Sequence, residues 1–292
     1  MRVAVIDVGS NTVRLLVAAV RGADRIEPIA DEKAFLWLGA ELAQRGELGP
    51  TKQAELSDTA RAFARIAHDH DIARLETIVT APGRGRGAES LLETLGQATG
   101  APVRVLSASE EGRLAWEGAV ARAGDLPDVV GVADVGGGST ELVVGTPLAG
   151  PAWVCSLAIG SLRLTERFFR GDPPSPDEVA RARASAQEEL VTIDPPIPDR
   201  VFATGGSART AAKILGRRYD ASALDEAILT LTGRSAAETA AAHGLHAERA
   251  RTIAAGAIIL AEIARLLDRP LERARGGLRE GAALSLAADT LL

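Results

Sequence analysis

The sequence predicts an α/β protein of two lobes, and three observations carry that prediction. The stretch Asp7-Val8-Gly9-Ser10-Asn11-Thr12-Val13-Arg14-Leu15-Leu16-Val17 aligns without gaps on Asp134-Val135-Gly136-Gly137-Gly138-Ser139-Thr140-Glu141-Leu142-Val143-Val144. Each copy follows a short apolar run (Val3 to Ile6; Val129 to Ala133) and leads into another, which reads as strand, tight polar turn, strand. Stretches of helical and strand period alternate around them, the rhythm of α/β architecture. The copies lie too far apart for a solenoid repeat. They fit two lobes that open with the same hairpin, residues 1–120 and 121–292, with a terminal helix over about 280–292 free to pack back on the first.

Within the first lobe, Leu56, Ala60, Phe63, Ala64 and Ala67 recur at helical spacing over Thr51 to His68, with Thr51 placed as an N-cap. A strand follows over Thr77 to Ala81, then a Gly/Arg-rich turn from Pro82 to Gly87. Helix 89–98, strand Val103 to Leu106 and helix Ser109 to Ala121 complete the lobe. The second lobe opens at Val129. In it, Ser175-Pro176-Asp177-Glu178 is a capping box with proline at the first helical position, so a helix runs to about Val191. The Pro-rich connector Asp194 to Pro198 leads to strand Val201 to Ala203, a glycine turn and helix Ser207 to Leu215, and the remainder reads as mostly helical.

Composition bounds the function. Of 292 residues, 46% are hydrophobic and 25% charged, an ordinary globular balance, while aromatics at 3% give no stacking platform for single-stranded nucleic acid. The net charge of -6 argues against generic polyanion binding. Cys155 is alone, so no internal disulfide forms and a reducing, cytoplasmic setting is expected. Met1 runs straight into an apolar strand without a basic leader, and the longest apolar stretch, Ile253 to Ala264, is too short for a bilayer and contains Glu262.

Two glycine turns, each entered from an aspartate, could do chemistry. Glycines let backbone N–H groups converge on an anion, and carboxylates beside a phosphate need a hard cation between them. A single such hairpin is an ordinary turn; two matched copies point to phosphate. Thr204-Gly205-Gly206-Ser207, between a strand and a helix, offers a third anion site at a helix N-terminus. His68-Asp69-His70-Asp71 has no second cluster to complete a metal site. His243 and His246 read as solvated turn residues, and Cys155 as a small core residue.

Taken in order, these motifs, with Ser109-Glu110-Glu111-Gly112-Arg113-Leu114, Ser156-Leu157-Ala158-Ile159-Gly160-Ser161-Leu162-Arg163-Leu164-Thr165 and Gly277-Leu278-Arg279-Glu280-Gly281, resemble the exopolyphosphatase / guanosine pentaphosphate phosphohydrolase family in its short, two-domain form. The resemblance spans nearly the whole chain. It implies two ribonuclease H-like lobes of the actin-like (ASKHA) fold with a cleft between them. It also implies Glu111 as catalytic base, and Asp7, Asp134 and Glu141 around Mg²⁺, with Mn²⁺ as a substitute. Phosphate would be cradled by Gly9, Ser10, Asn11, Thr12, Gly136, Gly137, Gly138, Ser139, Thr140, Gly205, Gly206 and Ser207. Arg84 matches the family's substrate arginine, yet Thr80-Ala81-Pro82-Gly83-Arg84-Gly85-Arg86 departs from the family pattern, and Arg86 is an alternative.

The substrates implied are polyphosphate or guanosine pentaphosphate, which the motifs do not separate because they read only the phosphate end. An actin-like ATPase or kinase and a non-catalytic phosphate sensor are the competing classes. No nucleic-acid or membrane partner is expected, and a homodimer is left open.

Overall fold

The computed structural model describes residues 1–22, 25–85 and 88–289. The chain divides into two compact units: Met1–Ala123 with Gly276–Leu292, and Gly124–Arg275. The second unit is thus inserted between two parts of the first.

The first unit begins with β1 (Arg2–Val8), β2 (Thr12–Arg21) and β3 (Arg25–Phe35), an antiparallel meander. Then come α1 (Leu38–Arg45), α2 (Pro50–His68), β4 (Arg74–Val79), a 3-10 turn over Ala81–Arg84, α3 (Ala88–Thr99), β5 (Val103–Val105) and α4 (Ala108–Ala121). β4 and β5 join parallel to β1, giving the sheet order β3-β2-β1-β4-β5. Alternation along β1 divides the core. Ala4, Ile6 and Val8 meet Leu56, Ala60 and Phe63 of α2 on one face; Val3 and Val5 meet Leu114 of α4 on the other.

In the second unit, β6 (Val130–Val135), β7 (Thr140–Thr146) and β8 (Gly150–Leu157) repeat the meander. After α5 (Ser161–Phe168) and α6 (Pro176–Leu190), β9 (Arg200–Thr204) pairs parallel with β6. α7 (Gly205–Leu215), β10 (Arg218–Tyr219), α8 (Ala221–Thr232), α9 (Ala236–His243), α10 (Ala247–Leu266) and β11 (Leu271–Arg273) complete the unit, with sheet order β10-β11-β9-β6-β7-β8. α10 is its central helix: Ile253, Ala257, Ile258 and Leu260 are all buried in the core. Its buried Glu262 accepts from Arg183 (2.9 Å), Arg265 (2.7 Å) and Gln187 (3.0 Å), which is how a charge survives inside an apolar helix.

The chain then returns to the first unit as α11 (Leu278–Ala288), which packs on α4 through facing glycines. A methyl group on Gly281 would sit 1.9 Å from the Leu114 carbonyl oxygen, and one on Gly118 would sit 2.0 Å from that of Gly277. The same meander with parallel strands added at β1 or β6 makes each unit a ribonuclease H-like lobe of the actin-like fold.

Two local expectations change, and one strand was not foreseen. Thr51 is inside α2, whose N-cap is Gly49 with Pro50 at the first position; the Gly49 amide is satisfied by Glu41 Oε1 at 3.0 Å. The strand expected over Thr77 to Ala81 ends at Val79, and Ala81 starts the 3-10 turn. β3 is a polar edge strand carrying Pro28, Asp31, Glu32 and Lys33, and it has no hydrophobic alternation to announce it.

Candidate active site

In the first unit the candidate residues sit at the carboxyl ends of parallel strands, where α/β sheets bind ligands. Asp7 is half-buried on β1, paired in register with Arg14 and Ile78. The turn beyond it closes through the Gly9 amide to the Thr12 carbonyl at 3.0 Å. It is anchored from below: the Asn11 carbonyl accepts from Leu36 (3.1 Å) and Trp37 (3.2 Å), and the Ser10 carbonyl from Gly39 (2.8 Å). A methyl on Gly39 would lie 2.7 Å from Ser10 Cβ, so a glycine is needed for the start of α1 to approach the loop. The Asn11 side-chain oxygen, an acceptor, is buried with no hydrogen-bond partner among the described residues.

Behind Asp7 stands a charged cluster. Arg279 of α11 donates to Asp31 (2.8 and 3.2 Å) and to the Leu15 carbonyl (3.1 Å), and Arg14 donates to the same Asp31 (2.9 and 3.1 Å). Burial and the neighbouring Arg279 charge lower the Arg14 pKa, against the pull of Asp31 and Asp7. Burial resists ionisation of Asp31, but the hydrogen bonds and charges of Arg279 and Arg14 outweigh it and hold that carboxyl below its usual range.

The adjacent glutamates of α4 take different roles. Ser107 caps the helix, and Glu110 reaches back to the Ser107 amide at 2.8 Å in a capping box. The hydrogen bonds from Ser107 hold the Glu110 carboxyl below its usual range. Glu111, one residue on, is only 8% exposed. Its Oε2 accepts from Arg84 Nη1 at 2.9 Å, and the same nitrogen donates to the Leu106 carbonyl at 2.9 Å. Arg84, expected on phosphate, is therefore bonded to the expected base; Arg86 lies outside the described residues. Gly83 explains the departure in this loop: a methyl there would lie 2.9 Å from Val79 Cγ1, so the turn packs directly on the sheet. Thr80, which sequence reasoning passed over, is buried, and its amide donates to the Val8 carbonyl at 3.2 Å.

In the second unit Asp134 and Glu141 are partners across β6–β7, and both are buried. Glu141 Oε1 accepts from Ser156 Oγ at 2.8 Å. The Gly136–Ser139 loop is gripped by the start of α5. Ser161 donates its amide to the Gly136 carbonyl (2.9 Å), and the amides of Leu162 and Arg163 donate to the Gly137 carbonyl (both 3.0 Å). Thr140 points inward, its hydroxyl donating to the Ile159 carbonyl at 2.7 Å. Gly205 has φ +84, and a methyl on it would lie 2.7 Å from Asp134 Oδ1; both conformation and space require glycine. A methyl on Gly206 would meet Arg249 Nη2 at 2.4 Å, placing a guanidinium from α10 over the N-terminus of α7. Nothing in the sequence around Arg249 announced that. Ser207 is buried, and its Oγ, like Thr204 Oγ1, has no hydrogen-bond partner among the described residues.

Cys155 is half-buried on β8, and burial with the Glu141 charge pushes its thiol up, away from reactivity. Among the described residues no group of three or more His, Cys, Asp or Glu is placed to hold a metal, and no helix is long and apolar enough to cross a membrane. Mg²⁺ characteristically takes one or two carboxylates, with water and substrate phosphates filling the remainder. The facing pair Asp134 and Glu141 suits that habit without a protein cage.

Fold and site together define an actin-like α/β protein with a glycine loop after an aspartate in each lobe. Its family is shown by comparison: the chain belongs to the Ppx/GppA phosphatase family, whose model matches residues 16–290. It is 30% identical to Exopolyphosphatase 2 of Mycobacterium tuberculosis, with 98% of each chain covered. It is also 30% identical to Exopolyphosphatase 1 of the same species, over 97% of this chain and 88% of that one. The crystal structure of the Aquifex aeolicus Ppx/GppA family member superposes with a TM-score of 0.84 at 27% identity, covering 99% and 98% of the two chains. An exopolyphosphatase from Cytophaga hutchinsonii has the same fold, with a TM-score of 0.88 at 22% identity over 99% and 98%.

Proposed function

We propose that the chain is an exopolyphosphatase, releasing terminal orthophosphate from inorganic polyphosphate by direct attack of water. The observation that carries this reading is Glu111: a buried carboxylate in the first turn of α4, held by Arg84, on the same unit as the Asp7 loop. The names of the mycobacterial relatives support the choice of polyphosphate.

The Gly9–Thr12 loop in the first unit, and the Gly136–Ser139 loop and the α7 N-terminus beside Arg249 in the second, each offer main-chain amides to phosphate oxygens. Glu111 takes a proton from water as its oxygen bonds to the terminal phosphorus. The bridging P–O bond breaks, and its oxygen leaves on the shortened chain. Positioning and charge neutralisation supply most of the rate, as phosphoryl transfer requires. Asp134 and Glu141 would hold Mg²⁺, which when bound neutralises phosphate charge.

The test is phosphate release from medium and long polyphosphate, guanosine pentaphosphate and ATP, in Mg²⁺ and in EDTA. Polyphosphate is the expected substrate, with activity lost in EDTA. Glu111→Gln should keep its fold and lose at least about 100-fold in turnover, within the ~10²–10⁴ range of general-base catalysis. Preference for guanosine pentaphosphate would move the substrate within the family; full activity in the variant would remove Glu111 from the base role.

A further inference from the structure

We infer that Arg84 is a positioning residue for Glu111, holding the base in place from the second strand-to-helix connection of its lobe. The inference rests on the reading of Glu111 as the base. One guanidinium nitrogen joins two groups of the β5–α4 segment, the Leu106 carbonyl and Glu111 Oε2, both at 2.9 Å. The side chain is docked: 26% exposed, against 11% for Glu111. Its base is fixed too, since Pro82 and Gly83 are buried and the Gly83 amide donates to the Thr80 carbonyl at 2.9 Å.

Arg104 of β5 is committed to Glu76 (2.9 Å) and Glu110 (3.3 Å), so the cap glutamate and the buried glutamate each have their own arginine. Moving the Arg84 nitrogen away would break both of its bonds at a carboxylate shielded from water. A carboxylate offers about four lone-pair positions, and this bond takes one, so the pair and a hydrogen-bonded water are compatible. Arg84 thereby controls the direction of the proton acceptor.

The test compares kcat and KM for polyphosphate among wild type, Arg84→Lys, Arg84→Gln, Glu111→Gln and the double variant Arg84→Gln/Glu111→Gln, each checked for folding by thermal unfolding. A positioning role predicts that Arg84→Gln loses roughly 10–100-fold in kcat with KM within about threefold, the pattern of an interaction felt in the transition state. Lysine keeps the charge but not the fork, so Arg84→Lys should fall between, and it carries the test if the glutamine variant unfolds. The double variant should be no worse than Glu111→Gln, because residues acting as one unit are non-additive. A raised KM with kcat preserved in the Arg84 variants, or a double variant whose loss is the product of the single losses, overturns the inference and leaves the proposed activity standing. Wild-type protein inactive on every phosphate substrate overturns the activity, and the inference with it.

Discussion

Gly160→Ala isolates the support under the Gly136–Ser139 loop. Gly160 is the N-cap of α5, with φ -152 and ψ 161, an extended conformation open to any residue, so alanine incurs no dihedral penalty. Space is the obstacle. The new methyl would lie 2.4 Å from the Gly137 carbonyl oxygen, 2.5 Å from its carbon and 2.6 Å from the Gly138 nitrogen. Ordinary contact needs about 3.5 Å, so loop and helix must part by roughly 1 Å. That parting strains the three amide bonds from Ser161, Leu162 and Arg163 to the loop carbonyls. Overpacking of this kind costs about 1–3 kcal/mol, or a fall in Tm of roughly 2–5 °C for a chain of this size. Displacing a substrate-positioning loop by ~1 Å can lower turnover by ~10²-fold. The assay pairs phosphate release with thermal unfolding, using Gly124→Ala as control because a methyl there meets nothing within 4 Å. Turnover within threefold of wild type at unchanged Tm would refute the idea that Gly160 sets the loop's position.

Two further outcomes are expected. Gly281→Ala should lower stability by at least about 1–3 kcal/mol in urea unfolding, because its methyl would fall 1.9 Å from the Leu114 carbonyl oxygen and push α11 off α4. Acid stability should report Asp31 and Glu178, whose folded pKa values are lowered, Asp31 by Arg279 and Arg14 against its burial, and Glu178 by the Ser175 and Arg170 amides. Groups shifted that way contribute stability above their unfolded values, ~3.9 and ~4.3, and that stability disappears as pH falls through the lower folded values. Asp31→Asn and Glu178→Gln should therefore be less stable than wild type at neutral pH and converge on it as pH falls through the lowered folded values, as followed by urea midpoints.

Legibility in the sequence followed the range of the interactions. The two hairpins and the Ser175 capping box are local patterns, and they appear where the residues placed them. β3 escaped because an edge strand with one polar face has no hydrophobic period to display. Thr51 looked like a cap, but Pro50 already fits the first helical position and Gly49 precedes it. In the candidate site, only the family resemblance separated Glu111 from Glu110; the residue pattern alone did not, since what distinguishes them physically is a serine three residues away and an arginine on another strand connection. Arg249 and Gly160 were silent for a similar reason: each matters through a surface it meets only after the chain has folded.

The return of the chain at Gly276 has a consequence for biosynthesis. Gly124–Arg275 emerges from the ribosome as one unbroken stretch, with everything its own core requires. The amino-terminal unit cannot complete its core until α11 is made, since Ala282, Ala283, Leu286 and Ala287 cover Val3, Val5, Leu16 and Ile78. A message truncated before α11 would yield a finished insert beside a sheet with an oily face bared to solvent. Such a product invites aggregation and proteolysis, so quality control falls heavily on α11.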